Sequence, residues 1–137
     1  MPEPFVRNIP TRWTDFDANR HANNAVYLTY LEHLRDSFFI QAGIRRDSTV
    51  LASANLTFIT AIPLGVTEVR GSLACIRVGR SSITTTETLA ADGAPAMEAT
   101  SVSVYVDEQG RPSPVPDHVR RQLDAYRIPV STGEEHL

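Results

Sequence analysis

One change of periodicity constrains this chain more than any other feature. Over 24–42 the apolar residues recur at helical spacing. Tyr27, Leu31, Leu34 and Phe38 follow steps of four and three, and Leu28, Phe39 and Ala42 widen the stripe. Beyond Gly43 the pattern alternates, and it stays strand-like as far as 106. A helix over 24–42 would run roughly 28 Å at about 1.5 Å per residue. Such a helix, apolar over much of its circumference, must be covered, and the segments left to cover it are strands. The pattern therefore predicts an α+β fold in which an antiparallel sheet wraps one long central helix.

The remaining elements follow in order. Residues 5–14 read as a first strand with Phe5, Ile9 and Trp13 on one face. Pro10 places that strand at a sheet edge or beside a bulge, because proline cannot donate to a ladder. Residues 15–23 form a polar loop with Asn23 or Asn24 as N-cap of the helix, and Gly43 suits its C′ position. Strands are predicted over 50–62, 66–78, 81–91 and 96–106, joined by Pro63-Leu64-Gly65, Gly79-Arg80 and Asp92-Gly93 turns, as one meander. On the first of these Ala52, Ala54, Leu56 and Phe58 share a side. After an exposed connection over 107–115, Pro116 opens a short helix to about Tyr126, with Val119, Leu123 and Tyr126 facing inward. One domain over 1–129 and a polar tail over 130–137 are expected.

Composition removes several classes of function. Of 137 residues 42% are hydrophobic and 21% charged, a globular profile. The net charge of −3 lacks the basic footprint of a nucleic-acid binder. No stretch approaches the ~20 consecutive apolar residues of a membrane span. The opening MPEPFVRN has no basic segment followed by an apolar one, so the cytoplasm is the expected compartment. The single cysteine, Cys75, allows no intrachain disulfide and no cysteine-based zinc cluster, and its apolar neighbours make it a buried thiol. No metal is expected, since His33, His118 and His136 set up no ligand spacing with His21. A G-x-S-x-G nucleophile elbow is absent.

The loop carries more chemistry than a connector requires. It holds Asp15, Asp17, Arg20, His21 and Asn23 immediately before an apolar helix. A carboxylate there, at Asp17, could attack a carbonyl or deprotonate a water, or it could simply close an Asx-turn. Asp15 reads as structural. Asn24 matters through its backbone: an amide at the positive end of a helix dipole can hold an oxyanion, and it can equally belong to a plain cap. His21 and Asn23 are expected to fix the loop by hydrogen bonds. Glu32 reads either as solvated, or paired with Arg35 or a neighbour of Asp36 on the helix, or as an alternative catalytic carboxylate there. Around the Val78-Gly79 turn, Arg77, Arg80, Ser81 and Ser82 suit a phosphate or pyrophosphate, or are ordinary surface residues beside a turn.

The run DFDANRHANNAVYLTYLE resembles the signature of hotdog-fold thioesterases, closest to the 4-hydroxybenzoyl-CoA thioesterase-like group and the related acyl-ACP thioesterases. Asp15, Asp17, His21, Asn23, Asn24, Tyr27, Tyr30 and Glu32 fill that pattern. Where many of the former group carry glycine before the histidine, this chain has Arg20, which fits the acyl-ACP-like variants better. The resemblance implies a hotdog domain that hydrolyses an acyl-CoA or acyl-carrier thioester with water and no cofactor. It assigns Asp17 as nucleophile or general base and the Asn24 amide as oxyanion donor. It also implies substrate contacts from His21, Asn23 and Tyr27. The CoA moiety is placed near Arg77, Arg80, Ser81 and Ser82, often across a subunit boundary of a homodimer or homotetramer. A non-catalytic hotdog domain that binds acyl thioesters or scaffolds a partner is the alternative. A hotdog dehydratase fits the loop less well.

Overall fold

The computed structural model describes residues 3–129. Five strands and two helices follow one another as β1 Phe5–Pro10, α1 Asn24–Gln41, β2 Thr49–Phe58, β3 Glu68–Val78, β4 Ser82–Ala91, β5 Ala94–Tyr105 and α2 Asp117–Asp124. All strands pair antiparallel in one sheet of order β1-β3-β4-β5-β2, and α1 lies across its inner face. The tail over 130–137 lies outside the described residues.

The helix starts and stops where its end residues dictate. The Asn23 side chain accepts the Ala25 N–H at 3.0 Å, and Gly43, with φ of +89°, takes the left-handed position after the last turn. There the Gly43 N–H donates to Ile40 at 3.0 Å and the Ile44 N–H to Phe39 at 2.8 Å, closing the free carbonyls in a Schellman motif. Tyr27, Tyr30, Leu31, Leu34, Phe38 and Phe39 are buried against Ile9, Val69, Leu73, Ile83, Leu89 and Met97 of the sheet. The closest approach is at Gly71, where a Cβ would sit 3.0 Å from both methyl carbons of Leu34. That glycine lets helix and sheet meet.

Three expectations change. The first strand stops at Pro10, and Trp13 leaves the shared face for a short 3₁₀ turn over Trp13–Asp15, where it is 84% exposed. The strands after α1 are not one meander. Only β3, β4 and β5 follow each other, while β2 crosses to the far edge beside β5, because the chain from Ile59 to Thr67 passes around the end of the sheet. Finally, β2 carries a bulge between Leu51 and Ser53, so Leu51 rather than Ala52 is in phase with Ala54, Leu56 and Phe58.

The consequence is an uncovered edge. Along β2 only Thr49 and Leu56 are partly buried, and Val50, Leu51 and Phe58 are 53%, 42% and 48% exposed. Among the described residues no helix is long and apolar enough to cross a membrane.

Candidate active site

Main-chain bonds shape the loop before α1 into a small hairpin. Phe16 bridges Ala22. The Asp17 N–H donates to the His21 carbonyl at 3.0 Å, the Asn23 N–H to Asp15 at 2.9 Å and the Arg20 N–H to Asp17 at 2.9 Å. The hairpin rests on the β2–β3 connection through Ala22 N–H to Ile62 and Leu64 N–H to Arg20, both at 2.8 Å. At the tip Asp17 Oδ1 accepts the Asn19 N–H at 2.9 Å. Asp17 thus closes an Asx-turn and still keeps Oδ2 without a protein partner among the described residues. Both readings of this residue coexist in one geometry.

Asp15 is the anchor beneath it. The residue is 2% exposed. Its carboxylate accepts the Tyr30 hydroxyl at 2.8 Å, the Arg12 N–H at 2.8 Å and Arg12 Nε at 3.1 Å. Burial pushes this carboxyl up, but the hydrogen bonds from the Arg12 backbone, Tyr30 and the Arg12 guanidinium outweigh it and hold it below its ordinary value. Burial first, and then the anionic Asp15 beside it, push the Tyr30 hydroxyl up. Since Tyr30 sits on the second turn of α1, this cluster fixes the hairpin against the helix end.

With Asn23 as the cap, Asn24 is the first helical residue. Its N–H donates to nothing among the described residues, while those of Ala25 and Val26 go to Asn23. A free amide at the positive end of an 18-residue helix is a group that can hold a negatively charged oxygen. It lies at most roughly 10 Å of chain from His21, the residue that pairs with Asp17.

The other candidates divide. Asn23 holds the loop through its side chain, whereas His21 does so through its backbone, its imidazole being exposed and without a hydrogen bond among the described residues. Tyr27 is buried beneath Phe58, ring centroids 5.0 Å apart and edge-on, and burial raises its hydroxyl pKa. Arg77 and Arg80 are exposed, and Ser81 and Ser82 partly buried, at the β3–β4 turn. That turn is at the wrong end for Asp17 of the same chain. The hairpin touches the chain just before β3, and the 11 residues of β3 then carry it away by roughly 33 Å.

Two features went unread in the sequence. Arg35 does not pair with Glu32; it turns inward to Glu87 at 3.8 Å and Ser101 at 3.3 Å. Glu87 is wholly buried and accepts Thr85 and Ser101 at 2.8 and 3.1 Å, and burial pushes its carboxyl up against those bonds. The signal was available: alternation from Ile83 to Leu89 puts Glu87 on the inner face, where a charge needs a partner. Arg120 of α2 donates to the Val78 and Gly79 carbonyls at 3.3 and 3.0 Å, adding a third guanidinium at the β3–β4 turn. Glu32 stays exposed, lining clefts of about 490 and 320 Å³, about 12 Å along the helix from Asn24.

Comparison with known proteins meets this geometry. The pattern of the thioesterase-like superfamily matches residues 11–123, from the strand end through the hairpin to α2. The chain belongs to that superfamily. No match is found among curated proteins. Among solved structures, a Thermus thermophilus thioesterase complexed with coenzyme A and Zn is 29% identical over 88% of this chain and 92% of that one, with a TM-score of 0.79. A thioesterase superfamily protein from Jannaschia superposes at 0.83 with 17% identity, over 93% and 98% of the two chains. A Staphylococcus aureus protein solved in complex with CoA superposes at 0.84 with 14% identity, over 96% and 90%. The last two carry the fold alone. The architecture is the hotdog fold, with the thioesterase-like loop at the N-terminus of its central helix.

Proposed function

We propose that this thioesterase-like protein hydrolyses an acyl-CoA, with Asp17 as nucleophile or general base and the Asn24 amide as oxyanion donor. The observation that carries the reading is the pairing of a carboxylate oxygen without a protein partner with an unused helix N-terminal amide on one hairpin held by backbone bonds. Water and the thioester suffice for the reaction. Attack at the thioester carbon, by water that Asp17 deprotonates or by Asp17 itself, builds negative charge on the carbonyl oxygen. The Asn24 N–H and the helix dipole stabilise that charge. Collapse expels the thiolate, which takes up the proton that Asp17 removed from the water or, where Asp17 attacks directly, a proton from solvent. If Asp17 attacks directly, water then cleaves the acyl anhydride and frees the acid. The likeness to the Thermus thermophilus thioesterase complexed with coenzyme A supports CoA as the carrier.

We place the complete site in a homodimer of these hotdog domains, each spanning 1–129, in the cytoplasm. The β2 edge is ten residues long and exposed, and a two-fold axis there would pair it with its own copy. Antiparallel pairing reverses the partner's sheet. The Thr49 end of β2 lies at the same end of the sheet as the start of β4, with β5 between them, since Thr49 pairs with Tyr105 and Ser82 with Val104. Reversal therefore brings the partner's Arg80 towards the Phe58 end and the Asp17 hairpin. In that arrangement Arg77, Arg80, Ser81 and Ser82 of one subunit can hold the CoA phosphates of a thioester lying at the other.

The test is thiol release from a panel of short, long, branched and aryl acyl-CoAs, followed by Asp17→Asn. Turnover of part of the panel and its loss in a folded variant are expected. Full activity in Asp17→Asn would move the chemistry to Glu32. Acyl-CoA binding without any thiol release would make the domain a binder.

A further inference from the structure

Arg20 is the one residue of the hairpin held at positive φ, a backbone conformation that the turn requires but that does not call for an arginine. Its φ is +63°, in the left-handed region that glycine, asparagine and aspartate enter far more easily than arginine. The backbone gives it no way out. Its N–H donates to Asp17 at 2.9 Å and its carbonyl accepts Leu64 at 2.8 Å, so the tip is pinned from both sides. Its side chain is exposed and makes no hydrogen bond or ion pair among the described residues, whereas Arg12 and Arg35 each engage a buried carboxylate. A strained residue whose charge serves no contact within the chain belongs with function rather than stability.

We propose that Arg20 selects the acyl group, its guanidinium pairing with a carboxylate carried on the acyl chain. The inference rests on the hydrolase reading of the Asp17 hairpin. Reach decides which anion is meant. Asp17 and Arg20 are the corners of one tight turn, with Cα atoms closer than about 7 Å. The pantetheine arm holds the nucleotide phosphates much farther than that from the thioester carbon, so an anion near Arg20 sits on the acyl side. Leu64, 52% exposed and bonded through its N–H to Arg20, offers apolar surface for the intervening methylenes. The substrate class is a short dicarboxylic acyl thioester, or an aryl thioester bearing a carboxylate. A guanidinium grips a carboxylate with two parallel bonds, which a lysine cannot reproduce.

The experiment compares glutaryl-CoA with pentanoyl-CoA, equal in chain length and different in charge, in the wild type, Arg20→Asn and Arg20→Lys. Asparagine keeps the left-handed turn, so the hairpin survives, and the melting temperature of each variant checks this. The wild type is expected to prefer glutaryl-CoA. Arg20→Asn should lower kcat/KM for it about 10- to 100-fold, the size of a lost charge-assisted hydrogen bond, and change pentanoyl-CoA less than about threefold. Arg20→Lys should fall between. Equal losses on both substrates would overturn the proposal, because Arg20 would then read the CoA or merely hold the turn. A wild type that cleaves pentanoyl-CoA as well as glutaryl-CoA would overturn it and leave the hydrolase reading standing. Release of thiol from no acyl-CoA at all would remove both.

Discussion

The two ends of the sheet hold the two groups of candidate residues, and they are built in opposite ways. At the Asp17 end the backbone is saturated with bonds and the reactive groups are left over: Asp17 Oδ2 and the Asn24 N–H have no protein partner among the described residues. At the Arg80 end the polar backbone is already taken. The Gly79 N–H donates to Ser82 at 2.8 Å, the Arg80 carbonyl accepts Val115 at 2.8 Å and Arg120 covers the Val78 and Gly79 carbonyls. What remains there is exposed positive charge. On the proposed function, one end serves transition-state chemistry and the other holds an anion that does not react. Binding that is equal in ground and transition states changes KM, whereas an interaction made only in the transition state changes kcat. The two ends should therefore separate in kinetics.

The largest effect belongs to Asp17→Asn, which should lower kcat about 10²–10⁴-fold with KM little changed, as measured by steady-state thiol release. Next comes Arg35→Met, in the buried cluster between the ends. It strips Glu87 of its countercharge and should cost roughly 3–5 kcal/mol in urea unfolding. The Glu87 carboxyl is held above its ordinary value, so its contribution to stability is present at low pH and fades as pH rises through the folded value; the variant should push that loss higher still. Tyr30→Phe should cost about 1.5–3 kcal/mol by removing a bond to a buried carboxylate. Asp15 has the opposite sign. Its contribution is full above the unfolded pKa of about 4 and is lost as pH falls through the lowered folded value. Tyr30→Phe raises that folded value, so the acid-unfolding midpoint should move to higher pH. The smallest effect is Arg80→Ala, a rise of several-fold in KM for acyl-CoA with kcat kept, and none for a substrate that lacks the nucleotide. Equal kcat losses in Asp17→Asn and Arg80→Ala would erase the distinction between the ends.

The parts that were legible in the sequence are those set by neighbours along the chain. Asn23 before an apolar run caps α1, Gly43 ends it, and Asp92-Gly93 turns β4 into β5. The loop from Asp15 to Asn24 stands out because it holds more charged and hydrogen-bonding groups than a connector needs. What escaped depends on partners far away in sequence. The place of β2 beside β5 follows from a crossover around the sheet end, which local alternation does not encode. Trp13 has the right spacing for the first strand, yet the chain leaves the ladder after Pro10 to bring Asp15 under Tyr30. Arg35 looked like a surface partner for Glu32 because helical spacing says nothing of Glu87, which lies 52 positions later. That Asp17 and Arg80 lie at opposite ends became visible only when β3 was laid between them.

The Asn24 backbone N–H is proposed to hold the developing oxyanion, and Asn24→Pro set against Asn24→Ala separates the loss of that N–H from the loss of the side chain. Asn24→Pro deletes the N–H at the first helical position, where proline is well tolerated, and Asn23 already has the extended ψ of 138° that a following proline prefers. Its kcat on the best acyl-CoA should fall about 10²–10³-fold below that of Asn24→Ala while circular dichroism and melting temperature hold. A folded Asn24→Pro protein with the kcat of Asn24→Ala would contradict that role.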